Sequence, residues 1–190
     1  ISAENHHIFY IVTLCFVLFT LPFSYRAMSS IGIIVMTINW LFEGQFPKKL
    51  QRLKRNPGIW ILASFYLTGV LGALYSENFQ QVIHHLQNGL AFFVVPFIVG
   101  TSRPLKFKEV RYLIFALAAS VALHSIVSYA ILANVVDVEI TNFRQYAYLT
   151  SNVHLSYMAI IAVSVLFYFV TRKRKLLSQK EYLLSILLII

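Results

Sequence analysis

The sequence contains few charged residues and only one cysteine. Of its 190 residues, 12% are charged and seven are acidic, and no internal repeat or linker rich in Gly or Ser divides it. Cys15 has no second cysteine to bond with, so no disulfide can form within the chain. By contrast, 58% of the residues are hydrophobic, well outside the balance of soluble domains. This composition indicates that the chain is surrounded by a lipid bilayer.

The two ends of the sequence look like cuts in a longer chain. Ile1 is not a start residue, no secretory signal peptide precedes the first apolar run, and the apolar run at 182–190 stops abruptly. We therefore expect residues 1–190 to form a single transmembrane domain, the N-terminal fragment of a longer membrane protein.

Six apolar segments are each close to the length that a membrane-spanning helix needs. Such a helix requires about 20 mostly apolar residues, because each residue rises 1.5 Å through a hydrocarbon layer of ~30 Å. The predicted fold class is all-α, a polytopic integral membrane helical bundle with six transmembrane helices and the start of a seventh. The predicted helices cover residues 8–23, 27–42, 58–76, 82–100, 112–133 and 153–171, with another beginning at 182–190.

The positive charges fall on alternate connections between these segments. Fourteen of the 16 Lys and Arg residues lie between helices two and three, between four and five, or after six. The positive-inside rule places these connections, and with them the N-terminus, on the cytoplasmic side. The net charge of +9 then reflects loops that face anionic membrane lipids, and nucleic-acid binding is not expected.

Two histidines, His84 and His124, lie in or beside predicted membrane spans, where a polar side chain needs an explanation. Residues 77–90 are amphipathic, and His84 lies on their polar face, which indicates either a wet interfacial helix or the wall of a substrate cavity. His84 and His85 are adjacent, a spacing that does not favour metal binding on one helix. His124 lies near the middle of the fifth predicted span, where an ionisable side chain is costly. It is therefore either a substrate-binding or proton-handling residue, or a neutral histidine bonded to a neighbouring helix.

The stretch NFRQYAYLTSNVHLSYM, residues 142–158, combines cationic, polar and aromatic side chains at the predicted outer surface. Arg144 is one of two cations on that side, and a guanidinium can donate paired hydrogen bonds to phosphate oxygens. Asn152 and His154 follow in the first turn of the sixth span. The stretch is either part of a site for a phosphate or diphosphate group or an aromatic belt with one arginine.

Two stretches of the sequence resemble the bacterial O-antigen ligase and O-antigen polymerase superfamily. They are ALYSENFQQVIHHLQNGLAFFVVPFIVG, residues 73–100, and FRQYAYLTSNVHLSYMAIIAVSVLFYF, residues 143–169. The short basic connectors between apolar helices are a third point of similarity. Arg144 matches the arginine of the family pattern, and Asn152 and His154 match its polar pair.

The resemblance implies a membrane glycosyltransferase without a nucleotide cofactor. It would transfer a glycan from a polyprenyl diphosphate carrier to lipid A-core, as a ligase, or to another lipid-linked glycan, as a polymerase. It also implies that the catalytic base lies beyond Ile190, so that this chain alone would be inactive. A secondary transporter that uses His124 as a proton relay, a polysaccharide export protein and a membrane scaffold without chemistry are the alternatives.

Overall fold

The computed structural model describes residues 3–23, 26–76, 79–133, 152–172 and 177–189. All regular secondary structure in these ranges is α-helical, which confirms the all-α prediction for the described part of the chain. The helices are α1 (Ala3–Thr20), α2 (Arg26–Phe42), α3 (Phe46–Arg55), α4 (Pro57–Ala73), α5 (Phe79–Thr101), α6 (Phe107–Leu132), α7 (Asn152–Arg172) and α8 (Gln179–Ile189).

Three of these helices are long and apolar enough to cross a membrane, namely α5, α6 and α7. Their exposed surfaces carry large apolar side chains such as Phe92, Ile126, Ile160 and Phe167, which a soluble protein would bury. The chain is therefore a membrane protein with several spanning helices. The predicted spans 82–100, 112–133 and 153–171 correspond to these three helices, although α6 begins five residues earlier than predicted.

The prediction of six spans is only partly confirmed, because α1, α2 and α4 fall short when each is taken alone. α4 has 17 residues, about 26 Å at 1.5 Å per residue, whereas the hydrocarbon layer is ~30 Å thick. α1 has 18 residues, but its first two turns include Glu4, His6 and His7. α2 reaches the required length only together with α3, as a pair bent by 115°, which raises the number of candidate spans from three to four.

The helix α3 is the main element that the sequence interpretation missed. Its segment FPKKLQRLKR was assigned to a basic connector, yet it forms a 10-residue helix with a proline in its first turn. Gly44 and Gln45 adopt left-handed backbone angles, with φ of 65° and 51°, and produce the sharp change of direction after α2. The segment can form a helix because its apolar residues Phe46, Leu50 and Leu53 recur at helical spacing and share one face.

The contacts divide the chain into two compact units. Unit 1 comprises residues 1–13 and 33–105, and unit 2 comprises residues 14–32 and 106–190. The single transmembrane domain predicted for residues 1–190 remains a prediction.

In unit 1, α4 and α5 form the main helix pair. Gly100 lies directly against the side chain of Ile59, where a Cβ atom would clash, so a glycine is needed for this close approach. At the end of α5, Thr101 joins α5 to the helices before it. Its hydroxyl accepts a hydrogen bond from Trp40 Nε1 at 3.0 Å, and its carbonyl accepts one from Arg52 at 3.0 Å.

In unit 2, α6 and α7 enclose the core, which consists of Ala118, Val121, Ala162 and Leu166. α8 adds Leu188 and Ile189 to its edge and begins with a capping box. In this box the Ser178 N–H donates to Glu181 at 2.8 Å, and the Glu181 N–H donates to the Ser178 hydroxyl at 3.3 Å.

Candidate functional site

The turn that follows α1 is surrounded by polar side chains of unit 2. The last four carbonyl groups of a helix have no hydrogen-bond partner inside the helix, so they must find one elsewhere. Ser120 of α6 is fully buried, and its hydroxyl donates a hydrogen bond to the carbonyl of Phe19 in the last turn of α1. The end of α1 is thereby fixed to the middle of α6.

His154 joins the same turn from α7. Its Nε2 lies 3.2 Å from the carbonyl oxygen of Leu21, one residue past the end of α1. A hydrogen bond to a carbonyl requires Nε2 to carry the proton, so a neutral His154 has its acceptor lone pair on Nδ1. The imidazole lies at the beginning of α7, two residues after Asn152, and is partly exposed.

His124 lies one turn beyond Ser120 on α6 and is fully buried. Its ring packs against Phe23, with 5.5 Å between the ring centroids. The Pro22 carbonyl is close enough to act on the ring, but within the described residues no atom forms a well-aligned hydrogen bond to Nδ1 or Nε2. Within the described part of the chain, the hydrogen-bonding capacity of this buried imidazole is therefore met at most by the nearby Pro22 carbonyl, which is uncommon in folded proteins.

These residues form one group, which we call the histidine cluster: Ser120, His124, His154 and the carbonyls of Phe19 and Leu21. The two imidazoles are close enough for the charge of one to act on the other. A pair of this kind can hold a proton, pass it on, or donate a hydrogen bond to an anion.

The structure brings together two of the five residues that the sequence predicted for the site, His124 and His154. Arg144 lies outside the described residues. Asn152 begins α7, but its side chain is not described. His84 belongs to unit 1, where it is exposed on α5. Its ring and the ring of His85 are arranged edge to face, with 6.4 Å between their centroids.

No pattern in the sequence indicates that the turn after α1 belongs to the cluster. Carbonyl groups carry no signature in a sequence, and Phe19 and Leu21 are separated from their partners by 101 and 133 residues. The available signal was the position of Pro22, which ends α1 and leaves its carbonyls to be satisfied by other helices.

Unit 1 contains a second, apolar feature, a groove of about 330 Å³ between α4 and α5. Small residues form its floor, among them Gly69, Gly72 and Gly89, while Phe65, Tyr66 and Phe92 form its walls. His85 contributes a polar group. Within the described residues, no group of three or more His, Cys, Asp or Glu side chains could hold a metal ion.

Comparison of the chain with protein-family models, with curated proteins and with solved structures gives no match.

Proposed function

We propose that this chain belongs to a membrane glycosyltransferase of the O-antigen ligase type. Such an enzyme transfers a glycan from a polyprenyl diphosphate carrier to lipid A-core or to another glycan acceptor. The proposal is supported by the several membrane-spanning helices, by the basic connectors and by the similarity of residues 73–100 and 143–169 to the family pattern. The observation that carries it is the histidine cluster, which lies where α7 begins, eight residues after Arg144.

The proposed topology is a six-span bundle in a bacterial inner membrane, with the N-terminus in the cytoplasm. α1, α2 and α4 would then also span the membrane, since a bilayer can thin around a short helix at modest cost. The distribution of the 14 cations supports this orientation. In this topology the end of α1 and the beginning of α7 face the outer side, where the lipid-linked glycan would be used.

In the proposed reaction, an acceptor hydroxyl oxygen attacks the anomeric carbon of the donor glycan. The bond from that carbon to the diphosphate oxygen breaks, its electron pair leaves with the diphosphate, and the hydroxyl proton passes to a base outside this chain. Arg144 and Asn152 would contact the diphosphate oxygens, where preorganised donors stabilise the developing charge. His154 would add a further hydrogen bond. His124, being fully buried, would act as a positioning residue through His154.

The direct test is Arg144→Ala in the full-length protein. Glycan transfer should fall by roughly 10²-fold or more, as expected when a donor to a leaving group is removed. Surface polysaccharide and accumulated lipid-linked glycan would be measured by gel electrophoresis and mass spectrometry. The matched control is Arg26→Ala, which removes the other predicted outer cation. Wild-type polysaccharide in the Arg144 variant would remove this residue from the site.

Ligase and polymerase activity can be separated with the full-length gene. Rescue of a strain that lacks its ligase would indicate transfer to lipid A-core, whereas rescue of a strain that lacks its polymerase would indicate transfer to another glycan.

A second candidate is a proton-coupled secondary transporter, which the full burial of the His124 imidazole in a membrane-spanning helix favours. A transporter in proteoliposomes would move protons with its substrate, and His124→Leu would stop this movement. Glycan transfer without proton movement would favour the glycosyltransferase.

A further inference from the structure

The helix α3 presents two different surfaces to its surroundings. On one side, Phe46 and Leu50 are 52% and 53% exposed although both are large and apolar. On the opposite side of the helical wheel, Lys48 and Arg55 are exposed, with Lys54 at the border. The helix itself contains no acidic residue. An exposed apolar stripe opposite exposed cations is typical of helices that lie in the interface of a membrane.

Other contacts fix which side of α3 faces outward. Lys49 is only 3% exposed, and its ammonium group donates to the carbonyl of Trp40 and lies 2.9 Å from Glu43. Arg52 donates a hydrogen bond to the carbonyl of Thr101. Two of the five cations of α3 therefore have their partners within unit 1. The described contact of Lys48 is a hydrogen bond from its Nζ to the neutral side-chain amide of Gln45, with 3.3 Å between Nζ and Oε1.

The bend after α2 gives α3 a suitable direction. The two helices meet at 115°, which is 25° beyond a right angle. When α2 runs roughly along the membrane normal, α3 lies roughly in the membrane plane.

An apolar hollow of about 460 Å³ lies beside α3. Its lining consists of Trp40, Phe97, Thr101 and five residues of α3, namely Phe46, Pro47, Lys49, Leu50 and Leu53. The hollow can receive part of an acyl chain, and Lys54 lies at the border between its apolar lining and the exposed cations Lys48 and Arg55. A phospholipid with a negative headgroup combines the two complementary features.

We propose that α3 is an interfacial helix that binds an anionic phospholipid of the surrounding bilayer. Lys48, Lys54 and Arg55 contact the headgroup phosphates, while an acyl chain enters the hollow beside Trp40. This proposal depends on the membrane location of the chain and is independent of the glycosyltransferase reaction.

Trp40 serves as the fluorescent reporter. Residues 1–190 contain two tryptophans, so Trp60→Phe, together with Phe at any tryptophan outside these residues, leaves Trp40 alone. The full-length W60F protein would be placed in phosphatidylcholine vesicles that contain brominated phosphatidylglycerol or, at equal mole fraction, brominated phosphatidylcholine. Bromine in the acyl chains quenches nearby tryptophan. We expect the anionic lipid to be preferred at low salt, by up to roughly fivefold for each contributing cation.

Two charge variants distinguish α3 from the general positive field of the protein. K48Q/K54Q/R55Q should bring the preference close to one, whereas R103Q/K108Q/K180Q, which removes three exposed cations elsewhere, should retain it. Raising the salt to 1 M should weaken the preference, since the Debye length falls to about 3 Å.

Three results would overturn the proposal. They are equal quenching by the two lipids, a preference that survives K48Q/K54Q/R55Q, and a preference that the control variant also loses. Removal of the preference by sodium phosphate, at an ionic strength where sodium chloride leaves it intact, would likewise replace the lipid surface with a site for a soluble anion.

Discussion

Lys49 in unit 1 and His124 in unit 2 are both buried ionisable residues, yet their surroundings are opposite. The Lys49 ammonium has the Trp40 carbonyl, the Glu43 carboxylate and the face of the Trp40 ring, 4.3 Å from its centroid. His124 has an aromatic neighbour but no well-aligned hydrogen bond within the described residues. Lys49 is surrounded by groups that favour its charge, whereas His124 packs against the Phe23 ring with the Pro22 carbonyl nearby.

This difference separates a structural role from a functional one. A buried charge that has several partners holds its surroundings in place, and its removal leaves those partners unsatisfied. A buried imidazole without partners contributes little to stability that a leucine could not supply. We therefore expect mutation of Lys49 to affect folding and mutation of His124 to affect activity.

The largest expected effect is that of Lys49→Met. The substitution leaves the Glu43 carboxylate and the Trp40 carbonyl without their partner, so the free energy of unfolding should fall by about 3 kcal/mol. For a chain of this size the melting temperature should drop by roughly 6–12 °C, measurable by thermal unfolding in detergent.

The neighbouring exposed lysine provides the control. Lys48→Met should change the free energy of unfolding by less than about 0.5 kcal/mol. The double variant K49M/E43Q should regain about 1 kcal/mol or more of the loss, because it removes the unpaired carboxylate. An equal loss in the single and double variants would mean that the charge pair does not stabilise α3.

Glu181 at the start of α8 is an ionisable residue that has a charged partner, like Lys49, but is only partly buried. The Ser178 N–H, and to a smaller extent Arg111 at 2.9 Å, hold the pKa of its carboxyl below the ordinary value of 4.5. A lowered pKa adds stability at neutral pH that is lost as the pH falls from 4.5 through the folded-state pKa. Glu181→Gln should therefore cost less than about 1 kcal/mol at pH 7, with the difference shrinking below pH 4.5 in pH-dependent unfolding. A difference that grows on acidification would contradict this assignment.

The smallest effect on stability is expected for His124→Leu. Leucine has about the same volume, and no described hydrogen bond is lost, so the free energy of unfolding should change by less than about 1 kcal/mol. Glycan transfer by the full-length protein should nevertheless fall. His154→Leu is the comparison, because it removes the bond to Leu21 and should cost about 1 kcal/mol. A stable and fully active His124 variant would return this residue to a packing role.

Much of the helical framework could be predicted from apolar length alone. Helices α5, α6 and α7 follow from long apolar runs, since hydropathy is sufficient wherever the surroundings are lipid. α3 could not be found this way, because its charged residues mask the apolar stripe of Phe46, Leu50 and Leu53. A periodicity search within the basic connector would have revealed it.

The site was less predictable than the fold. His124 and His154 could each be singled out as polar residues in apolar segments, but their proximity depends on how α6 and α7 meet around the end of α1. The partners of the turn are more than 100 residues away in sequence, and no single-sequence pattern records such contacts. The place of Arg144 beside them remains a prediction.

The contacts of Thr101 also impose an order on biosynthesis. Trp40 and Arg52 both bind this residue, which follows them by 61 and 49 positions. A ribosome that adds about 5–20 residues per second reaches Thr101 roughly 2–12 s after these partners have been made. During that interval α3 has been synthesised but the residue that Arg52 contacts has not, so this contact can form only after α5 is complete.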